Sequence, residues 1–244
     1  MTHLTSFRTL TDPDEIAEEA VDARTEMERL FFAHEGRPAH KWRRYLEVYD
    51  RHFAPLRAAA AEAGRPLRML EIGVANGGSL DLWRAYFGPE AVLFGVDLDP
   101  ACAAFDGLSA QVRIGSQADP AFLARVVAEM GGLDLVLDDG SHQAAHQSAS
   151  FRALFPLLNE GGLYMVEDLH TSYWDGWGGG VKRKGTFIEL LKELMDEMHG
   201  WYAPMKTSLS GMRLDEAAFA LHLYDSVAAI EKRRVAAPYS VFKR

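Results

Sequence analysis

The sequence predicts an α/β protein built on a mostly parallel, doubly wound β-sheet of seven strands, and three observations carry this prediction. From residue 65 onwards, short apolar runs that end in acidic or glycine residues alternate with helical segments, which is the pattern of βαβ units. A glycine-rich turn follows the first apolar run, where an open α/β sheet binds its ligands. Two further strand patterns near the C-terminus predict an antiparallel hairpin at the edge of the sheet.

Five apolar runs supply the parallel strands, at residues 67–72, 91–97, 110–114, 133–138 and 163–167. Amphipathic segments predict the main helices of this part of the chain near residues 78–87, 120–130, 143–158 and 186–199. Residues 219–232 predict the hairpin, which turns at Tyr224, Asp225 and Ser226. Residues 65–244 therefore form the predicted ligand-binding domain.

Residues 1–64 predict a helical N-terminal cap. Asp12 precedes Pro13 as a helix N-cap signal, and a second helix is expected over residues 43–63. The aromatic residues of that helix repeat every four positions, so we interpret them as a packing face: Tyr45, Tyr49 and Phe53.

The composition narrows the class of partner. The 244 residues carry a formal net charge of -9, which argues against nucleic-acid binding because that depends on clustered Lys and Arg. Cys102 is the one cysteine, so no intrachain disulfide is expected. We find neither a signal-peptide pattern nor an apolar run of about 18 residues, the length that spans a bilayer. These features predict a cytoplasmic protein that acts on a small molecule and not at a membrane.

The glycine-rich turn, GVANGGS at residues 73–79, predicts a cofactor site. Gly73 and Gly77 allow the backbone to approach a ligand closely. Asp97 ends the second strand, 24 residues after Gly73, where an acidic side chain accepts hydrogen bonds from a ribose diol. An adenosine-type ligand fits this pair of features.

The spacing of the glycines favours S-adenosylmethionine (SAM) over a dinucleotide. A pyrophosphate site needs G-x-G-x-x-G, whereas here Glu71 precedes an E-x-G-x-x-x-G arrangement. An NAD site and a purely structural turn remain the alternatives. Asp119 is interpreted as a helix N-cap, although its loop lies at the same sheet edge. Further predicted cofactor contacts come from the turn and from the loops after the third and fourth strands: Ala75, Asn76, Ser79, Ser116, Gln117 and Asp138.

Acidic residues at the ends of the fourth and fifth strands predict a metal site. Asp139, Glu167 and Asp168 reach one sheet edge, and gathered carboxylates repel one another unless a cation joins them. Oxygen ligands with no thiolate favour Mg²⁺, with Mn²⁺ or Ca²⁺ as alternatives. Two vicinal sugar hydroxyls could then replace two waters on the ion and be held for reaction.

His142 follows Asp139 by three residues, and these two are the predicted catalytic residues. An imidazole is the natural general base near neutral pH, so His142 is expected to take the proton from the acceptor hydroxyl. His170 is the reserve candidate for the base. His146 gives an HQAAH pattern that lacks the glutamate of a zinc hydrolase. The alternative for DDGSH is a polar turn that caps the following helix.

Residues 171–185 combine aromatic residues, glycines and a basic run, which predicts a mobile lid. Tyr173, Trp174 and Trp177 are expected to stack on a sugar or an aromatic aglycone. The basic run at 182–184 is either a diphosphate contact or a solvated charge run.

The motifs EIGVANGGS, VDLD, LDDGSH and VEDLHTSYW together resemble the Mg²⁺-dependent, SAM-dependent sugar O-methyltransferases of macrolide and other natural-product (antibiotic) pathways. The resemblance covers residues 34–232 and implies a Rossmann-like class I methyltransferase fold. It implies that Asp139, Glu167 and Asp168 hold the metal and that His142 is the base. The implied acceptor is a glycoside or a nucleotide sugar. Several relatives carry a long N-terminal domain that helps to build an oligomer, so a homo-oligomer is expected, although only a short helical segment stands in that position here.

Two other functions fit parts of the pattern. One is an NAD-dependent oxidoreductase on a similar sheet. The other is a non-catalytic subunit of a natural-product pathway that binds SAM and transfers no methyl group.

Overall fold

The computed structural model describes residues 8–202 and 213–244 and confirms the predicted sheet. Its seven strands run in the order β3-β2-β1-β4-β5-β7-β6, and β7 is antiparallel to both of its neighbours. The strands are β1 Arg68–Ile72, β2 Val92–Asp97, β3 Gln111–Ile114, β4 Leu135–Asp138, β5 Leu163–Val166, β6 Ala218–Tyr224 and β7 Val227–Lys232. The first five are the predicted parallel strands, and β6 and β7 are the predicted hairpin. The predicted turn is shorter by one residue, because Tyr224 still belongs to β6.

The register of the central strands positions the site. Ile72 on β1 pairs with Asp138 on β4, and Asp138 pairs with Val166 on β5. The three strands therefore end side by side. Side chains just beyond those ends meet at one edge of the sheet, as they do in other open α/β sheets.

Helices cover both faces of the sheet. They are α1 Pro13–Val21, α2 Glu26–Phe32, α3 Arg43–Glu62, α4 Gly78–Phe87, α5 Pro120–Met130, α6 Ala144–Leu154, α7 Phe187–Met198 and α8 Leu214–Ala217. The carboxylates of Asp12 and Asp119 accept hydrogen bonds from the first backbone amides of α1 and α5, as predicted for N-caps. The helix predicted at 143–158 is shorter: α6 ends at Leu154, because Pro156 has no N–H to continue it, and a 3-10 turn follows.

The two faces of the sheet are covered by two different hydrophobic clusters. Leu70 and Ile72 of β1 pack with α5, α6 and α7, whereas Met69, which directly precedes Leu70, packs with α2, α3 and α4. This alternation is the period-two geometry of a strand that is buried on both faces. Glu71, next in the alternation, therefore points to the same face as Met69, towards α3.

The N-terminal helices share a core with the sheet. Tyr45, Tyr49 and Phe53 of α3 are buried in the cluster that contains Met69 of β1 and Met165 of β5. This packing confirms the apolar face that was predicted from the spacing of the aromatics. The predicted domain boundary between residues 64 and 65 stays a prediction, and the predicted domains also include residues 1–7 and 203–212, which lie outside the described residues.

In the stretches that the structure describes, no helix has the length and apolar character needed to cross a bilayer.

Candidate active site

The turn after β1 depends on the glycine at position 73. Gly73 has φ +96°, and a Cβ at this position would lie 2.1 Å from the carbonyl oxygen of Asp139. Gly78, at the start of α4, is held as tightly, because a Cβ there would lie 2.3 Å from the backbone oxygens of Arg37 and Pro38. The turn is therefore packed against the backbone just after β4 on one side and against the N-terminal segment on the other.

Asp97 holds this turn through its carboxylate. One oxygen accepts hydrogen bonds from the backbone amides of Val74 and Ala75 at 2.8 and 3.0 Å, and the other accepts from Asp99 at 2.9 Å. These backbone bonds outweigh the effect of burial and lower the pKa of Asp97. A carboxylate has about four acceptor positions, so the three bonds leave room for a ribose hydroxyl.

A cavity of about 430 Å³ lies beside the turn, at the carboxyl ends of the strands. Most of the predicted site residues line it: Gly73, Ala75, Asn76, Ser79, Asp97, Ser116, Gln117, Asp139, His142, Glu167 and Asp168. Glu71, Gly77 and Asp138 do not appear in its lining. Their predicted contact with a cofactor stays a prediction.

Glu71 and Asp138 lie behind the cavity wall, in polar networks of their own. Glu71 accepts a hydrogen bond from Ser79 at 2.8 Å. Burial raises the pKa of Glu71 to about 7, although the Lys41 ammonium opposes this shift. Asp138 accepts from Ser150 at 2.5 Å and from Tyr164 at 2.8 Å. Burial raises the pKa of Asp138 as well. Both carboxylates fix neighbouring side chains in place, because each is fully enclosed and bonded.

Three of the predicted residues face the cavity together. The Nε2 atom of His142 lies 3.5 Å from Asp168 and 3.9 Å from Asp139, and all three side chains are about one-fifth exposed. His142 itself has φ +56° and Asp168 has φ +54°, an uncommon backbone for residues with side chains. Such strain is characteristic of functional sites.

The donor atoms of this group fit a divalent ion. Asp139, His142 and Asp168 each offer a ligand atom, and these atoms lie within 4.8 Å of one another. The two carboxylates supply hard oxygen donors, and the group contains no sulfur, which suits Mg²⁺ or Mn²⁺. The predicted metal ligand Glu167 is not in this group, because its carboxylate points towards α3. The ligand set Asp139, Glu167 and Asp168 stays a prediction.

Glu167 is buried against the N-terminal segment. It accepts a hydrogen bond from the Tyr49 hydroxyl, and both of its oxygens lie 3.3 Å from the Lys41 ammonium. Burial, and then the neighbouring Asp139, raise the pKa of Glu167 well above its usual value although Lys41 opposes the shift. The Tyr45 hydroxyl donates to Asp168 at 2.7 Å. The packing interpretation of these tyrosines was thus incomplete, since each also holds a carboxylate.

Lys41 is the main site residue that the sequence did not reveal. Its Nζ atom lies 2.5 Å from Asp139 and 3.9 Å from Glu71, in addition to the contacts with Glu167. It belongs to an irregular segment just before α3, HKW at residues 40–42, with no motif around it. A lysine among several basic residues carries no sequence signal that it will be buried.

The other two candidate histidines, His146 and His170, are each hydrogen-bonded to a serine hydroxyl. His146 bonds to the Ser141 hydroxyl at 2.8 Å, and His170 bonds to the Ser226 hydroxyl at 2.7 Å. His170 also stacks on Trp42, with ring centroids 4.7 Å apart, and Trp174 meets its edge at 4.6 Å. Burial lowers the pKa of His170. An orienting role for His170 fits these contacts.

The predicted lid, residues 171–185, forms short turns beside the site. Trp177 contacts Trp174 with ring centroids 5.3 Å apart, and the 182–184 run is exposed. Mobility of this segment and stacking of its aromatics on a sugar stay predictions.

Comparison with known proteins agrees with this geometry. Residues 70–169 match the family described as a methyltransferase domain. The chain is 40% identical over 205 residues to the 8-demethyl-8-(2-methoxy-alpha-L-rhamnosyl)-tetracenomycin-C 3'-O-methyltransferase of Streptomyces olivaceus, an alignment that covers 79% of this chain and 50% of that protein. It is 38% identical to the mycinamicin VI 2''-O-methyltransferase of Micromonospora griseorubida, over 76% of this chain and 47% of the relative. The chain thus spans about half the length of the curated relatives it matches.

A solved structure shares the fold. The MycE methyltransferase of the mycinamycin biosynthetic pathway, in complex with Mg and SAH, is 35% identical, with a TM-score of 0.71 over 90% of this chain and 54% of that one. The predicted α/β architecture is therefore confirmed as the class I methyltransferase fold. This chain accordingly has the class I methyltransferase fold, carries a match to a methyltransferase domain, and is similar over about half of their length to O-methyltransferases of glycosylated natural products.

Proposed function

We propose that the chain is a SAM-dependent, divalent-metal-dependent O-methyltransferase that methylates a sugar hydroxyl of a natural-product glycoside or a nucleotide sugar. The observation that carries the proposal is the meeting of Asp139, His142 and Asp168 in one cavity with the glycine turn at residue 73. The relatives support it, because those named above are O-methyltransferases acting on sugar-bearing natural products.

The chain offers a separate place for each bound group. The turn from Gly73 to Ser79, with Asp97 and Ser116, would hold SAM at the cavity wall. Asp139 and Asp168, with Glu167 beneath them, would hold Mg²⁺. When bound, SAM supplies an electrophilic methyl group and the ion supplies a Lewis acid that positions and acidifies the acceptor hydroxyl.

His142 acts as the general base. Its Nε2 atom lies 3.5 Å from Asp168 and 3.9 Å from Asp139, within reach of a hydroxyl that these carboxylates and their ion would position. With its proton on His142, the acceptor oxygen would use the electron pair of its O–H bond to bond the methyl group that SAM would supply, and the pair of the methyl–sulfur bond would stay with SAM. Tyr45 holds Asp168 in place. Positioning of the reacting groups supplies much of the acceleration.

A second cavity, of about 1210 Å³, gives room for an acceptor larger than a free sugar. Its wall at residues 38–42 is shared with the first cavity, and Phe31, Phe32 and Trp42 add apolar surface. A glycoside that keeps its scaffold would place the sugar near His142 and the apolar scaffold against these rings. This cavity favours a finished glycoside over a nucleotide sugar.

Methyl transfer from SAM to a panel of glycosides and nucleotide sugars, with Mg²⁺ or with EDTA, tests the proposal. Methylated product should form with Mg²⁺, disappear in EDTA and return when Mg²⁺ is restored. Full activity in the chelator would refute the metal site. SAM binding without transfer would favour the non-catalytic subunit, and protection against thermal unfolding by NAD(H) but not by SAM would favour the oxidoreductase.

Three further expectations from the sequence stay predictions: a homo-oligomeric state, a cytoplasmic location and a domain boundary after residue 64.

A further inference from the structure

We propose that Lys41 is a positioning residue of the metal site: an internal cation that holds two of the predicted metal ligands and weakens the affinity of the site for a divalent ion. This inference rests on the proposed function, because it concerns the same carboxylates. It adds a residue that no motif in the sequence marks.

The Lys41 ammonium is enclosed by acids. Its side chain is 3% exposed, and Nζ lies 2.5 Å from Asp139, 3.3 Å from both oxygens of Glu167 and 3.9 Å from Glu71. An ammonium with so little contact with water has exchanged its hydration for these contacts. Lys41 is therefore bonded into the cluster and does not extend into solvent.

The walls around the ammonium keep it there. The rings of Tyr49 and Trp83 lie 5.7 and 5.8 Å from Nζ, within the range of cation–π attraction. The segment that carries Lys41 is fixed as well: Arg37 donates to the backbone oxygen of Gly77 at 3.2 Å and to the carboxylate of Asp81. The ammonium therefore has a defined position relative to the ends of β4 and β5.

The Lys41 ammonium and a bound divalent ion would contact the same carboxylates. Lys41 lies against Asp139 and Glu167, which are two of the three predicted metal ligands, whereas Asp168 bonds to Tyr45 and faces His142. A divalent ion on these carboxylates must share oxygens with a fixed positive charge a few ångströms away. The repulsion is strong because the surroundings are poorly solvated. Lys41 thus organises the carboxylate cluster and opposes the loading of the ion.

The same contacts connect the metal site with the acceptor side. Residues 38–42 form the wall between the two cavities, and Lys41 anchors that wall to the carboxylates. A shift of the ammonium when the ion binds would move its neighbour Trp42, which stacks on His170.

The test compares the affinity of the full chain for Mn²⁺ in wild type and Lys41→Met, by titration calorimetry and by the paramagnetic resonance signal of free Mn²⁺. Methionine keeps the volume and removes the charge, so Mn²⁺ should bind about tenfold tighter or more. Lys41→Arg keeps the charge and should stay within about threefold of wild type. Lys192→Met, which removes an exposed lysine that pairs with Glu189 on α7, is the matched control and should leave the affinity unchanged.

A purely structural role predicts the opposite sign, because a disordered cluster binds Mn²⁺ more weakly. Unchanged or weaker binding by folded Lys41→Met would overturn the proposal. Lys41→Gln is measured in parallel, and circular dichroism establishes that each variant is folded. If Lys41→Met does not fold, Lys41→Gln decides by the same criterion. If neither folds, Lys41 is a structural counter-ion and the proposal is overturned. Failure of the wild type to bind Mn²⁺ would instead contradict the metal site of the proposed function.

Discussion

Replacing Gly73 with alanine should disturb the cofactor turn and the end of β4 together. The added Cβ would lie 2.1 Å from the carbonyl oxygen of Asp139, roughly 1 Å inside normal contact. That oxygen belongs to the backbone at the end of β4, and the Asp139 amide is itself bonded to Ile72 at 2.9 Å. The neighbour cannot move away without moving the end of a central strand.

The magnitude has two parts. A side chain at φ +96° costs about 1–3 kcal/mol in backbone strain. Overpacking against rigid backbone adds about 1–3 kcal/mol. A total loss of about 2–6 kcal/mol is a large part of the roughly 5–15 kcal/mol that stabilises a typical domain. The affinity for SAM should fall about tenfold or more, because each 1.4 kcal/mol lost at the turn is worth a factor of about ten.

Chemical denaturation and calorimetric titration with S-adenosylhomocysteine measure the two effects. Gly64→Ala is the matched control, because Gly64 has φ +63° with nothing within 4 Å of an added Cβ. It should cost only about 1–2 kcal/mol, the strain of a left-handed residue, and leave ligand binding intact. If Gly73→Ala is no more destabilising than Gly64→Ala, the close contact with Asp139 does not constrain the turn.

Three further predictions concern single side chains. His142→Ala should keep SAM affinity close to that of wild type and cut turnover by about two to four orders of magnitude, as loss of a general base does; unchanged turnover in a methyl-transfer assay would remove His142 from the mechanism. Burial, and then the neighbouring His222, lower the pKa of His52 from 6.5 to about 4, so wild type should lose stability as the pH falls from 6.5 towards 4, because the unfolded chain binds the proton that the folded one excludes. The loss of wild-type stability should be about 1.4 kcal/mol for each unit of pKa shift, and His52→Gln should show no such loss between pH 6.5 and 4. If the stabilities of wild type and variant fall equally with pH, the assignment to His52 is contradicted. Asp119→Ala should cost about 1 kcal/mol in urea denaturation through loss of the α5 N-cap, and an unchanged midpoint would show that water replaces the cap.

The fold followed from local patterns. Strand alternation and helical periodicity are properties of consecutive residues, so the five parallel strands and the C-terminal hairpin could be placed from the sequence to within a few residues. The predicted ends of helices and strands were less accurate where a single residue sets the end. Pro156 ends α6 early, and Asp225 and Ser226 alone form the hairpin turn.

Only part of the candidate site could be predicted from the sequence. Asp139, His142 and Asp168 could be gathered from the sequence because parallel strands deliver the residues beyond their ends to one edge. The partners of Glu167 could not be predicted, because its carboxylate contacts Tyr49 and Lys41, which lie more than a hundred positions away in the chain. Asp97 lies at the sheet edge as predicted. Its hydrogen bonds with three backbone amides of the neighbouring loops were not predicted.

The sequence by itself determined the order of strands and helices, the glycine at the cofactor turn and the set of acids at the sheet edge. Each depends on residues close in the chain or on a rule of sheet geometry. Only the tertiary structure decided which acids face the cavity and which are buried with Lys41. That arrangement depends on contacts between residues about a hundred positions apart, such as the 2.5 Å contact of Lys41 with Asp139. No local sequence pattern indicates which residue will neutralise a buried charge.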